Sequence, residues 1–206
     1  MPRVKLEYKT QRRAQIIAAA RACFARAGFH RTTLQDVFAE AGLSAGCIYN
    51  YFQSKEELIL AIAEERHRDE GRAIADESNT MDPVEALRSI AQRFVADYLR
   101  EDGREKRHIA IQTWSEAMLN PCILQTVIRG FEEPKLRIAT LSRRGQSLGK
   151  LSRKLDADSA ARMMIALFHG FILQMLWEPN LDSANAFALF KKFLDSMSVE
   201  HDLDIN

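Results

Sequence analysis

Residues 32–58 read TTLQDVFAEAGLSAGCIYNYFQSKEEL, and the punctuation of this stretch decides how the chain folds. Thr33 stands three residues before Asp36, the capping-box spacing that lets each side chain accept a backbone N–H of the other's segment. Leu34, Val37, Phe38 and Ala41 follow at the three- and four-residue intervals of one helix face. Gly42 ends that helix after roughly two turns, because glycine enters the left-handed region without a Cβ clash. Ser44 then caps a second helix, predicted from Ala45 to about Phe52, and Ser54-x-x-Glu57 opens a third that carries Leu58, Ile59, Ile62 and Ala63.

Two short helices joined by a tight glycine turn fit a helix-turn-helix. Leu43 and Ile48 are expected to lock the second helix onto the first. The outward face of the second helix then carries Ser44, Ala45, Gly46, Tyr49 and Asn50. Ala45 and Gly46 are small enough for the helix N-terminus to sit deep in a major groove, where free N–H groups and the helix dipole favour phosphate or base acceptors.

The same stretch closely resembles the DNA-binding signature of the tetracycline-repressor (TetR) family of transcriptional regulators. The resemblance is carried above all by A-G-L-S-x-G-x-I-Y-x-Y-F at residues 41–52 and by S-K-E-E-L at residues 54–58, within a match over about residues 10–60. It implies a repressor that binds double-stranded operator DNA as a homodimer, with Thr33 capping its helix and touching a phosphate. Tyr49 and Tyr51 would contact phosphates or sugars, Lys55 would reach a phosphate, and Ser44, Ala45, Gly46, Cys47 and Asn50 would lie near base edges. Two positions depart from the family pattern: Phe38 stands where a small residue is usual, and Cys47 where a Thr or similar small polar residue is common.

Charge agrees with a polyanion-binding head. The first 31 residues carry Arg3, Lys5, Lys9, Arg12, Arg13, Arg21, Arg26 and Arg31 against the single acid Glu7, whereas the whole chain is only +1. Arg3, Lys5 and Lys9 form a basic N-terminal arm that either follows DNA or stays a solvated tail. Apolar content of 47% with 28% charged residues excludes a disordered chain. The absence of an apolar leader and the wide spacing of Cys23, Cys47 and Cys122 point to a reducing cytoplasm, with no disulfide framework or zinc site. The most apolar run, residues 163–177, is shorter than the roughly 20 residues of a spanning helix, so no membrane association is expected. His30, His67, His108, His169 and His201 form no metal or catalytic pattern and no cofactor-binding loop is present, so an enzyme is not expected.

Helical spacing continues to the end of the chain, predicting an all-α protein. The expected division is a three-helix helix-turn-helix domain over residues 1–60 and a helical ligand-binding and dimerisation domain over 61–206. Further helices are expected after Pro83, over 106–119, from Pro121 to about Ser147 with a kink near Pro134, over 157–178 and over 183–199. The helix at 157–178 is apolar on all sides and the last helix carries Phe187, Leu189, Phe190, Phe193 and Leu194, faces too wide for one core. Family members pair through their last two long helices, which places a homodimer interface on 157–178 and 183–199. Trp114, Met118, Phe131, Phe168, Phe171, Ile172 and Met175 are candidates to line a site for a small hydrophobic effector, with Glu116, His169 or Gln174 as polar handles. The alternative regulatory input is redox sensing through Cys47 or Cys122.

Overall fold

Most helix starts among the described residues are set by a short polar side chain, and three stops fall at or just before a left-handed glycine, Gly28, Gly42 and Gly149. The computed structural model describes residues 2–80, 82–100, 103–178, 181 and 183–196, with side chains from Glu7 onward except at 73, 76–80, 183, 184, 186, 187 and 189. The described residues form α1 (Pro2–Ala27), α2 (Leu34–Ala41), α3 (Ala45–Tyr49), α4 (Lys55–Thr80), α5 (Pro83–Leu99), α6 (Gly103–Ala117), α7 (Pro121–Ser147), α8 (Ala157–Trp177) and α9 (Ser183–Ser196), and no strand. Asp82 caps α5 ahead of Pro83, Asn120 accepts the Cys122 N–H ahead of α7 at 2.9 Å, and Asp156 caps α8 through the Ser159 N–H at 2.8 Å.

Two details differ from the sequence expectation. The basic arm is helical, since α1 starts at Pro2, a residue whose fixed φ and missing N–H suit a helix start. Lys9 is exposed on it, while the side chains of Arg3 and Lys5 lie outside the described residues. Helix α7 runs from Pro121 to Ser147 as the spacing predicts, with Pro134 inside it forfeiting one backbone bond. Helix α8 has 21 residues and is long and apolar enough to cross a membrane by length and composition, because it begins six residues before the apolar run 163–177.

The chain divides into two compact units, one of residues 1–67 with 108–128 and one of 68–107 with 129–206. A single cut near residue 60 therefore does not describe the packing: the second half of α6 and the start of α7 belong with the N-terminal helices. In the first unit the large fully buried apolar side chains include Ile16, Ile17, Phe24, Val37, Ile48, Leu58 and Ile123, joined by Phe29, Phe52, Ile59 and Ile109. In the second, Ile74, Leu87, Ile90, Ile138, Leu141, Leu151, Met164 and Leu194 share one cluster, with Phe94, Phe190 and Phe193 packed against it. There Arg88 of α5 holds Asp195 of α9 at 2.5 Å, and Lys150 pairs with the capping carboxylate of Asp82.

Candidate nucleic-acid interface

The capping box at Thr33 forms as its spacing predicts. The Thr33 hydroxyl accepts the Asp36 N–H at 3.2 Å, and Asp36 accepts both the Thr33 N–H and its hydroxyl at 2.8 Å. These bonds hold the Asp36 carboxyl below its ordinary range, the Thr33 backbone N–H contributing most. At the other end of α2, Gly42 adopts φ 64 and ψ 32, and the Gly42 and Leu43 N–H groups close onto the Ala39 and Phe38 carbonyls at 3.2 Å. A Cβ at Gly42 would meet nothing within 4 Å, so the turn selects glycine through backbone conformation alone.

Helix α3 is shorter than expected. It ends at Tyr49, with Asn50 as its C-cap, and the Tyr51 and Phe52 N–H groups both return to the Ile48 carbonyl. Ser44 caps its start through the Cys47 N–H at 3.3 Å. Ile48 is fully buried and pins the helix, while Ser44, Ala45, Gly46, Tyr49 and Asn50 are exposed or nearly so and Cys47 and Tyr51 half-buried. The ring of Phe38, the departure in α2, packs edge-on against Tyr49 with centroids 5.5 Å apart and so braces it. A Cβ at Gly46 would meet open space, so nothing inside the protein requires glycine there.

Lys55, an expected phosphate contact, is also engaged within the chain. Its ammonium donates to the Phe29 carbonyl at 2.7 Å and the Thr32 carbonyl at 3.3 Å, fastening the segment before α2 to the start of α4. The capping box at Ser54 is also altered: Ser54 accepts the Glu57 N–H, but Glu57 reaches back to the Gln53 N–H at 2.7 Å.

Arg12 stands in the sequence only as one of eight basic residues in the head. Its guanidinium donates to the Tyr8 hydroxyl at 3.0 and 3.2 Å and to Gln15 at 2.8 Å, and Gln15 in turn donates to the Ala41 carbonyl at the end of α2 at 2.8 Å. Hydrogen bonding to the Tyr8 hydroxyl is the main stabilisation of its charge and outweighs desolvation. The relay thus fixes a half-buried cation beside α3. Its signal in the sequence is the helical spacing Tyr8, Arg12, Gln15, legible once α1 is known to extend that far.

The effector candidates divide between the units. Trp114 and Met118 belong to the first, and Met118, 81% exposed in the turn after α6, does not line an apolar enclosure. In the second, Ile172 and Met175 are buried and Phe131, Phe168 and Phe171 half-buried. His169 joins Phe131 and Phe168, with centroids 4.8 and 6.0 Å from theirs, and Phe168 also packs edge-on against Phe94 and Tyr98. Glu116 stands 3.5 Å from His30, and Gln174 is exposed. Cys47 and Cys122 are free thiols, and Cys23 is a buried thiol whose pKa burial pushes up.

Residues 16–62 match the bacterial regulatory proteins of the tetR family, and residues 83–199 match the C-terminal part of BetI-type transcriptional repressors. The chain belongs to the TetR family. It is 30% identical over 204 residues to the HTH-type transcriptional regulator TtgR of Pseudomonas putida, covering 95% of this chain and 94% of TtgR. To the uncharacterized HTH-type transcriptional regulator YfiR of Bacillus subtilis it is 44% identical over 176 residues, 85% of each. Among solved structures, SmeT, the repressor of the Stenotrophomonas maltophilia multidrug efflux pump SmeDEF, shares 29% identity with a TM-score of 0.73 over 90% of this chain and 89% of that one. A SmeT–triclosan complex gives 26% identity and a TM-score of 0.80 over 91% of both chains. This TetR-family protein is therefore a ligand-responsive helix-turn-helix transcriptional repressor, of a family of DNA-binding regulators and not of enzymes.

Proposed function

We propose that the chain represses transcription by binding a pseudo-palindromic operator as a homodimer, with α3 of each protomer entering a major groove. The observation that carries this reading is the exposed face of α3: the helix is pinned by buried Ile48, capped by Ser44, and bare of side-chain bulk at Ala45 and Gly46. Ser44 and Asn50 then supply the hydrogen-bonding side chains for base edges, Cys47 offers a half-buried thiol, and Ala45 and Gly46 allow close approach. Thr33, Tyr49, Tyr51 and the preorganised Arg12 take phosphates. Lys55 serves mainly by holding the segment that presents Thr33, with one ammonium N–H left for a phosphate.

Pairing through α8 and α9 accounts for the apolar residues on α8 that stay exposed in one chain, namely Met163 at 54%, Leu167 at 43% and Trp177 at 69%. It also gives that helix an occupation other than spanning a membrane, in keeping with a cytoplasmic regulator. A two-fold dimer sets half-sites about 34–36 Å apart, one turn of DNA. The functional division lies near residue 60, with the operator-reading helices before it and effector binding and pairing after it. The effector is a small hydrophobic molecule held among Phe131, Phe168, Phe171, Ile172 and Met175, a reading the triclosan complex of SmeT supports.

Selection from random duplexes with the full-length protein tests the operator. Enrichment of an inverted repeat with half-sites one turn apart is expected, and recovery of unrelated sequences would overturn the proposal. A thermal-shift screen of lipophilic phenols, cations and aromatic acids tests the effector class; a hit that also releases the selected duplex is expected.

A further inference from the structure

Helix α1 is closed by a side chain from another helix. Gly28 takes φ 84 and its N–H donates to the Phe24 carbonyl at 2.9 Å, the single bond of a left-handed helix stop. In the tighter closure of such stops the next N–H, here that of Phe29, also returns to a carbonyl of the last turn. Instead Phe29 N–H donates to Gln112 Oε1 at 2.6 Å, and Gln112 Nε2 donates to the Phe24 carbonyl at 3.3 Å. The amide of Gln112 is inserted between donor and acceptor as a peptide group would be. Its orientation follows from the chemistry, since a backbone N–H demands the amide oxygen and a carbonyl demands the amide nitrogen.

The segment from Gly28 to Thr33 is gripped from several sides. One turn beyond Gln112 on α6, Glu116 meets His30 at 3.5 Å. Lys55 holds the Phe29 and Thr32 carbonyls, and the Thr32 hydroxyl donates to the Gly28 carbonyl at 2.8 Å. The next residue, Thr33, starts α2. Gln112 therefore joins α6 to the segment that sets the entry of the helix-turn-helix, while the first residues of α6, 103–107, belong to the other compact unit.

We propose that Gln112 is a positioning residue for operator recognition, through which α6 sets the orientation of residues 28–33 and so of α2 and α3. It rests on the reading of α2 and α3 as the operator-binding element. When α6 withdraws the amide, Phe29 N–H closes onto the last turn of α1, so the stop has two satisfied forms that differ in the course of the chain after Gly28. That is the kind of two-state element through which a displaced helix acts at a distance.

The test uses full-length Q112L, which keeps the volume and removes both bonds, and Q112E, which keeps the acceptor for Phe29. Affinity for the selected duplex is measured against salt concentration by fluorescence anisotropy, beside thermal unfolding and a Tyr49→Ala control. Q112L is expected to bind about tenfold more weakly, the worth of one hydrogen bond in a buried setting, with the salt slope unchanged because every phosphate contact is kept. Q112E should fall between it and the wild type, and the melting midpoints should move little because the stop recloses. Tyr49→Ala lowers the salt slope if its phosphate role holds, so the two readings fail separately. Wild-type affinity in both variants, or affinity that falls only in step with the melting midpoint, overturns the proposal. Should Q112L not fold, wild-type affinity in Q112E overturns it alone.

Discussion

At Lys55 two ammonium N–H groups are engaged by the Phe29 and Thr32 carbonyls, whereas at Arg12 the half-buried guanidinium is steadied by the side chains of Tyr8 and Gln15. Two opposite outcomes follow. Lys55→Met is expected to lower the unfolding free energy by about 1–3 kcal/mol, the cost of leaving partly buried carbonyls without their donor, as measured by urea denaturation. Arg12→Ala should leave stability nearly unchanged, weaken binding across all duplex sequences, and reduce the salt slope by about 0.9, the increment for a single phosphate. A slope equal to the wild type's would remove Arg12 from the interface. Asn50→Ala belongs to a third class: it should relax preference at one base position by about 1–3 kcal/mol and leave the slope alone. Charge read along the sequence does not separate Arg12 from Lys55. Both are basic residues near the motif, and only the carbonyls that surround Lys55 in the fold decide between them.

The short helices are legible because their ends are encoded in single residues. Thr33 and Asp36 form the expected box, Gly42 takes the left-handed turn, and Ser44 caps α3. Gly42→Ala is accordingly expected to cost about 1–2 kcal/mol in thermal unfolding, since its Cβ meets no atom but the conformation penalises any L side chain. Asp36 gives α2 a pH dependence. Its carboxyl, stabilised as the anion by Thr33, titrates below its ordinary value of 3.8, so its contribution is fully present above about pH 4 and disappears as pH falls through the lower folded value. Asp36→Asn should therefore melt below the wild type near pH 7, and the gap should narrow steadily toward pH 3. Ends set by distant partners leave no such mark in the sequence. Helix α3 stops at Tyr49 because the chain turns back onto the Ile48 carbonyl, and α1 stops at Ala27 with a cap completed by Gln112 from the far side of α5 in the chain order.

At the scale of the whole molecule, the exposed apolar residues of α8 carry the dimer prediction. Leu167→Glu places a charge on the proposed interface and should yield a monomer at micromolar concentration by light scattering, with operator binding that becomes weak and steeply dependent on protein concentration. A dimer that persists would move the interface elsewhere. The second half is the less legible part of the chain, since a half-buried Phe168 packed on Phe94 and Tyr98 looks the same in sequence whether it lines a site or fills a core. The packing of residues 108–128 with the N-terminal helices has a consequence for anyone building hybrid regulators. A cassette cut after the three N-terminal motif helices would travel without Gln112, Ile109 and Ile123, leaving Phe29 lacking its acceptor and the transplanted core open on one side. The exchangeable part is a discontinuous one, and a working chimera has to carry the middle of α6 through the start of α7 together with the head.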